Sequence, residues 1–167
     1  IANRFNLKIL QTIESPENVI IFFKKINNNS KKLISNKNNK KNEIIFNKFK
    51  TKIEKNKSKI ARIISLYKKD EIAFWGAGGF AVAAMHLYKL PINFDTFLMD
   101  KDKSKHGLYF YQQKIRINPI MTKMIKQKKL IVITSYYSKQ IIDDIKKMKI
   151  KTDVLQIFPK IKLTKII

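Results

Sequence analysis

A short apolar run that ends in glycines and then opens a helix constrains this chain more than any other feature. The stretch Glu71-Ile-Ala-Phe-Trp-Gly-Ala-Gly-Gly-Phe-Ala81 holds three of the four glycines of the chain within four positions. Residues 71–75 read as a strand, and residues 79–90 as an apolar helix. Glycine lets the backbone turn sharply and leaves no Cβ in the way of a ligand. A helix that starts straight after such a turn presents free N–H groups and the positive end of its dipole. Gly76, Gly78 and Ala81 give the spacing G-x-G-x-x-A, which has meaning here because a strand precedes it and a helix follows. The same glycines would equally serve a tight turn with close helix–sheet packing and no ligand.

From residue 71 onward strands and helices alternate. Strands are expected at 71–75, 94–99, 130–134 and 153–158, with an extended piece around 108–117. Helices are expected at 79–90, 118–128 and 135–149. Such alternation implies right-handed βαβ units, a parallel sheet of order 3-2-1-4-5 and a site outside the carboxyl ends of the strands. The fold class is therefore α/β, a Rossmann-like sheet preceded by an N-terminal helical segment. In that segment, Ser15-Pro16-Glu17 has the chemistry of a helix start, with Val19, Ile20, Phe22, Phe23 and Ile26 following. The polar run 36–42 reads as a loop. A second helix is expected over 43–69, its stripe formed by Ile45, Phe49, Ile53, Ile60, Ile63, Ile64 and Tyr67. A short strand at 5–10 is compatible with the opening residues. The domain division expected is 1–70 for the helical segment and 71–167 for the Rossmann-like domain.

Asp100 ends the second strand of the sheet, 22 residues beyond Gly78. A carboxylate there accepts hydrogen bonds from a ribose in many dinucleotide sites, or caps the turn that follows. Ser135, Tyr136 and Tyr137 follow the fourth strand at the mouth of the site, where Ser135 either meets a ligand or caps the next helix. Trp75 suits the core better than base stacking. His86 lies on the helix after the loop and reads as a packed or solvated histidine; His106 sits in the turn 101–107. Asp143 and Asp144 are adjacent on a helix, point to different faces and read as solvated.

The net charge of +24 raises the question of nucleic acid. Almost all of it is lysine, spread along the chain; arginine occurs only at Arg4, Arg62 and Arg116. Lys, Asn and Ile are all abundant, as AT-rich coding would make them, so nucleic acid is not the expected partner. There is no cysteine, which excludes disulfides and thiolate metal sites. No apolar run approaches the roughly 20 residues needed to span a bilayer. A cytoplasmic protein without membrane attachment is expected, and the long amphipathic helix offers a face for a homodimer.

Taken in order, the strand–GAGG–helix unit, "FLMDKDKSKHGLYF", "KIRINP", "LIVITSYYSKQIIDDI" and "DVLQIFPKIKL" resemble the C-terminal domain of the nucleotide-sugar C-methyltransferases. The resemblance covers roughly residues 45–163. In that family a helical segment precedes a Rossmann-like domain with a glycine-alanine loop, an Asp-x-Asn/Asp-x-x-Lys-x-Gly turn and a last strand ending in proline. Phe74-Trp75-Gly76-Ala77 matches the start of the family loop, and Gly79-Phe80 departs from it. The resemblance implies a nucleotide-sugar-binding role for Gly76, Ala77, Gly78, Gly79, Phe80, Asp100, Lys101, Ser135 and Tyr136. It assigns no catalytic residue, no metal and no cofactor to this chain; S-adenosylmethionine would bind a preceding methyltransferase domain. A start at Ile1 agrees with a C-terminal piece. Two other classes stay open: an NAD(P)-binding oxidoreductase or redox sensor, with Lys101 or Lys103 facing a 2′-phosphate, and a basic nucleic-acid-binding module.

Overall fold

The computed structural model describes residues 7–14, 19–25, 36–93, 95–110 and 114–167. The chain divides into two units, Ile1–Phe46 and Asn47–Ile167.

In the first unit, β1 (Leu7–Glu14) pairs antiparallel with β2 (Val19–Lys25), with a register shift between Ile9 and Gln11. This corrects the helix expected through Val19–Ile26. Val19-Ile-Ile-Phe-Phe is a run of β-branched and aromatic residues, which favours a paired strand once a partner is present. The Ser15-Pro16-Glu17 start lies outside the described residues. Helix α1 covers Asn36–Ile64, so the polar run 36–42 is helical rather than a loop, and the helix ends before 69. Lys and Asn do not break a helix as Gly and Pro do, so propagation from the stronger pattern behind the run prevails.

The second unit is a six-stranded sheet. Its strands are β3 (Ile72–Trp75), β4 (Phe97–Met99), β5 (Ile117–Asn118), β6 (Leu130–Ile133), β7 (Thr152–Gln156) and β8 (Lys162–Ile166), in the order β5-β4-β3-β6-β7-β8. The first five pair in parallel; β8 closes the edge antiparallel to β7. The expected order is thus present, with one further strand that the sequence reading did not include. Helices α2 (Gly79–Tyr88), α3 (Thr122–Ile125) and α4 (Ser138–Lys147) connect the strands. All three are shorter than expected.

Both faces of the central strands are apolar, as a parallel sheet covered on each side requires. Alternate residues go to opposite layers. Ile72, Phe74, Leu98, Leu130, Val132 and Leu155 pack with Ile60 and Ile64 of α1 and with Ala81, Ala84 and Met85 of α2. Ala73, Trp75, Met99, Ile131, Ile133 and Val154 pack with Ile125, Ile141 and Ile145. Trp75 is 2% exposed, so it is a core residue. The chain moves outward from β3 to β4 and β5, then returns from β5 to β6 on the other side of β3, and this reversal places a crevice at the carboxyl ends of β3 and β6.

Candidate functional site

The loop after β3 is held from three sides. Gly76 N–H donates to the Met99 carbonyl of β4 at 2.9 Å. Thr134, at the end of β6, donates its Oγ1 hydroxyl to the Gly76 carbonyl at 2.7 Å and to the Trp75 carbonyl at 3.2 Å. Asp100 accepts from the Ala77 N–H at 2.7 Å. Gly76 has φ +118°, and a Cβ there would lie 2.7 Å from the Thr134 carbonyl oxygen. The fold itself requires that glycine.

Gly78 and Gly79 differ from it. Neither has positive φ, and a Cβ on either would meet no atom within 4 Å. Gly78 is the extended N-cap residue of α2. The N–H groups of Gly78, Gly79 and Phe80 lie where no intrahelical acceptor exists, and among the described residues none accepts from them. Without side chains at 78 and 79, these donors stand open at the positive end of the helix.

Asp100 is a hub of the loop and the turn after it. Its Oδ1 accepts from Asp102 N–H at 2.9 Å, and Lys105 Nζ donates to its Oδ2 at 3.2 Å. The Asp100 carbonyl lies 2.9 Å from His106 Nε2. Burial pushes the Asp100 carboxyl up, but the Ala77 and Asp102 N–H groups and the Lys105 ammonium outweigh it and hold it below the usual value. The turn continues through a short 3-10 segment, Lys103–Lys105, capped by Asp102. It closes at Gly107, whose φ is +80°.

The consecutive tyrosines after β6 have different neighbours. Tyr136 joins Phe80 and Phe158 in an aromatic cluster, with ring centroids 4.6 Å from Phe80 and 4.7 Å from Phe158. Tyr137 lines a cavity of about 130 Å³ with Gly76, Asp100, Lys101, Ser135, Gln140 and Asp144. Lys101 Nζ reaches Asp144 Oδ2 at 3.2 Å across its rim. Ser135 Oγ accepts from Tyr137 N–H at 3.2 Å and so shapes the entry to α4, which begins at Ser138.

The cavity therefore gathers Gly76, Asp100, Lys101 and Ser135 of the residues singled out in the sequence. Ala77 is tied beneath Asp100, whereas Gly78, Gly79 and Phe80 form the helix entry and Tyr136 stands with Phe80. Of the other residues here, Tyr137 lies at the mouth of the site as the sequence indicates, whereas Thr134, Gln140 and Asp144 carry no signal for it in the sequence. Asp144 in particular was expected to be solvated; its lysine partner lies 43 residues earlier. Among the described residues, no group of three or more His, Asp or Glu is placed to hold a metal ion. Nor is any helix among them long and apolar enough to cross a membrane.

No family model matches the chain. No curated protein matches it either. Among solved structures, UDP-D-quinovosamine 4-dehydrogenase from Vibrio fischeri aligns at 19% identity and a TM-score of 0.40, over 60% of this chain and 95% of that one. A likeness of that degree says nothing about what this chain binds or does.

Proposed function

We propose that residues 71–167 form a module that binds a nucleotide-linked sugar, with its phosphates against the entry of α2. One observation carries this reading. Gly76 is needed by the backbone, but Gly78 and Gly79 are needed neither for a positive φ nor for close packing. What they do provide is access to the three N–H groups at the head of α2, the arrangement that suits a phosphate. The aromatic cluster of Phe80, Tyr136 and Phe158 begins at the first turn of α2, and a polar cavity lies against Gly76 of the same loop. A ligand with phosphates between two rings fits that order: one ring packs on an aromatic face and the other is held by hydrogen bonds.

The motif order that resembles sugar C-methyltransferases suggests the setting in which such a module works. It would hold the substrate, while S-adenosylmethionine would be bound by a separate methyltransferase domain. Nucleotide sugars are cytoplasmic metabolites, and we place the protein there. Asp100 weighs against a redox dinucleotide site built on that carboxylate. Its two oxygens already accept from two backbone N–H groups and Lys105.

The test is a calorimetric titration of the protein with UDP-glucose and UDP, beside the Gly78→Val variant. A Val side chain at 78 projects into the space a phosphate would use and meets no protein atom within 4 Å at its Cβ. Binding by the parent, lost in a normally folded Gly78→Val protein, is the expected result. Equal binding by both would sink the assignment of the phosphates to this loop.

A further inference from the structure

The cavity beside the glycine loop has its own chemistry, distinct from that of the helix entry. Its 130 Å³ equals about four waters at roughly 30 Å³ each. That is room for the hydroxylated edge of one ring, and too little for a base and a sugar together. The lining mixes acceptors with donors. Asp144 contributes a carboxylate with an oxygen to offer, Ser135 and Tyr137 hydroxyls, and Gln140 an amide, while the Asp100 carboxylate is committed to the Ala77 and Asp102 N–H groups and Lys105. Asp144 gives Oδ2 to Lys101, and its other oxygen has no partner among the described residues.

Two carboxylates make the cavity unsuited to a phosphate, which would meet like charge. Vicinal hydroxyls are the matching ligand. One hydroxyl donates to the Asp144 carboxylate, a bond to a charged acceptor and so of the stronger kind, and its neighbour exchanges hydrogen bonds with the Gln140 amide. The position agrees, because the cavity lies at the switch point between β3 and β6, against Gly76.

We infer that this cavity binds the vicinal diol of a sugar ring, with Asp144 and Gln140 of α4 as its specificity-determining residues. Lys101 orients the Asp144 carboxylate from the rim. The inference rests on the nucleotide-sugar reading, since phosphates on the α2 entry bring the adjoining ring to this cavity. The diol has two sources, the ribose of the nucleotide or the sugar attached to it.

Titration of the protein with UDP, 2′-deoxyuridine diphosphate and UDP-glucose separates them, with Asp144→Asn and Gln140→Leu beside the parent. If the ribose enters, UDP binds about tenfold tighter than its deoxy analogue, the worth of one good hydrogen bond. That ratio then falls toward one in both variants. If the attached sugar enters, UDP-glucose exceeds UDP by a similar factor, and that ratio collapses instead. Should all three ligands bind with both ratios unchanged in the variants, the cavity is not the diol site, while the loop assignment stands. Binding of none of them to the parent overturns both. Gln140→Leu leaves the Lys101–Asp144 pair intact and carries the comparison if Asp144→Asn folds poorly.

Discussion

A Cβ on Gly76 would sit 2.7 Å from a carbonyl oxygen and 2.9 Å from the Ser135 Cβ, in a backbone conformation of φ +118°. Gly76→Ala must therefore strain the backbone and push the β6 end away at once. We expect it to lower the unfolding free energy by about 3 kcal/mol, measured by urea denaturation. A variant as stable as the parent would show that the loop relaxes freely. Gly78→Val makes the opposite prediction: stability within about 1 kcal/mol of the parent, with nucleotide binding lost. In the sequence these glycines look alike, because composition carries neither φ nor neighbours. Asp144 was equally illegible. Beside Asp143 it reads as part of a solvated acidic pair, and only the folded sheet brings Lys101 to it.

At the scale of elements, one side-chain link joins Tyr67, just beyond α1, to Asp153 of β7. The Tyr67 hydroxyl donates to Asp153 Oδ2 at 2.5 Å. Burial, then the hydrogen bond, then the charge of Asp153 push the hydroxyl up to about 12 from its ordinary 10.0. The neutral tyrosine is thus favoured by folding. Its contribution is complete below the unfolded value, near pH 10, and disappears as the pH rises through 12. Tyr67→Phe should cost about 1 kcal/mol at neutral pH. The stability difference between parent and variant should then shrink between pH 10 and 12, a window read from parallel urea titrations. Curves that stay a constant distance apart would rule out the coupling. The C-terminal part of the stripe that carries Tyr67 was legible, since Ile60 and Ile64 bury at the spacing the sequence shows, whereas Ile45 and Phe49 of the same stripe are exposed. The parallel strands were legible too, because runs such as Leu130-Ile-Val-Ile have both faces apolar. Two elements were not. Val19–Lys25 carries a helix-start signal before it, yet pairs as a strand, and a pairing partner is not visible in local pattern. Strand β8 is polar and only partly buried, with burial alternating too weakly to announce a strand, and it exists because β7 offers an edge.

At the scale of the whole molecule, the charge of +24 acts on every ligand that approaches. Two lysines stand at the site, Lys101 and Lys105, and they are committed to Asp144 and Asp100. The remaining field is spread over the surface and attracts anions without choosing among them. Single-stranded oligonucleotides should therefore bind at low salt and be released steeply as salt rises, with a linear fall of log K against log salt. Specific recognition would require base-edge contacts or stacking along a groove. Fluorescence anisotropy with two oligonucleotides of unrelated sequence, at low and at physiological salt, distinguishes the cases. Equal affinities for both sequences, weak at physiological salt, are expected of a lysine-coated nucleotide-sugar module. A preference of about tenfold that survives physiological salt would be worth about 1.4 kcal/mol of sequence readout. No uniform lysine surface supplies that, so such a result would move the function of this chain from small nucleotides to nucleic acid.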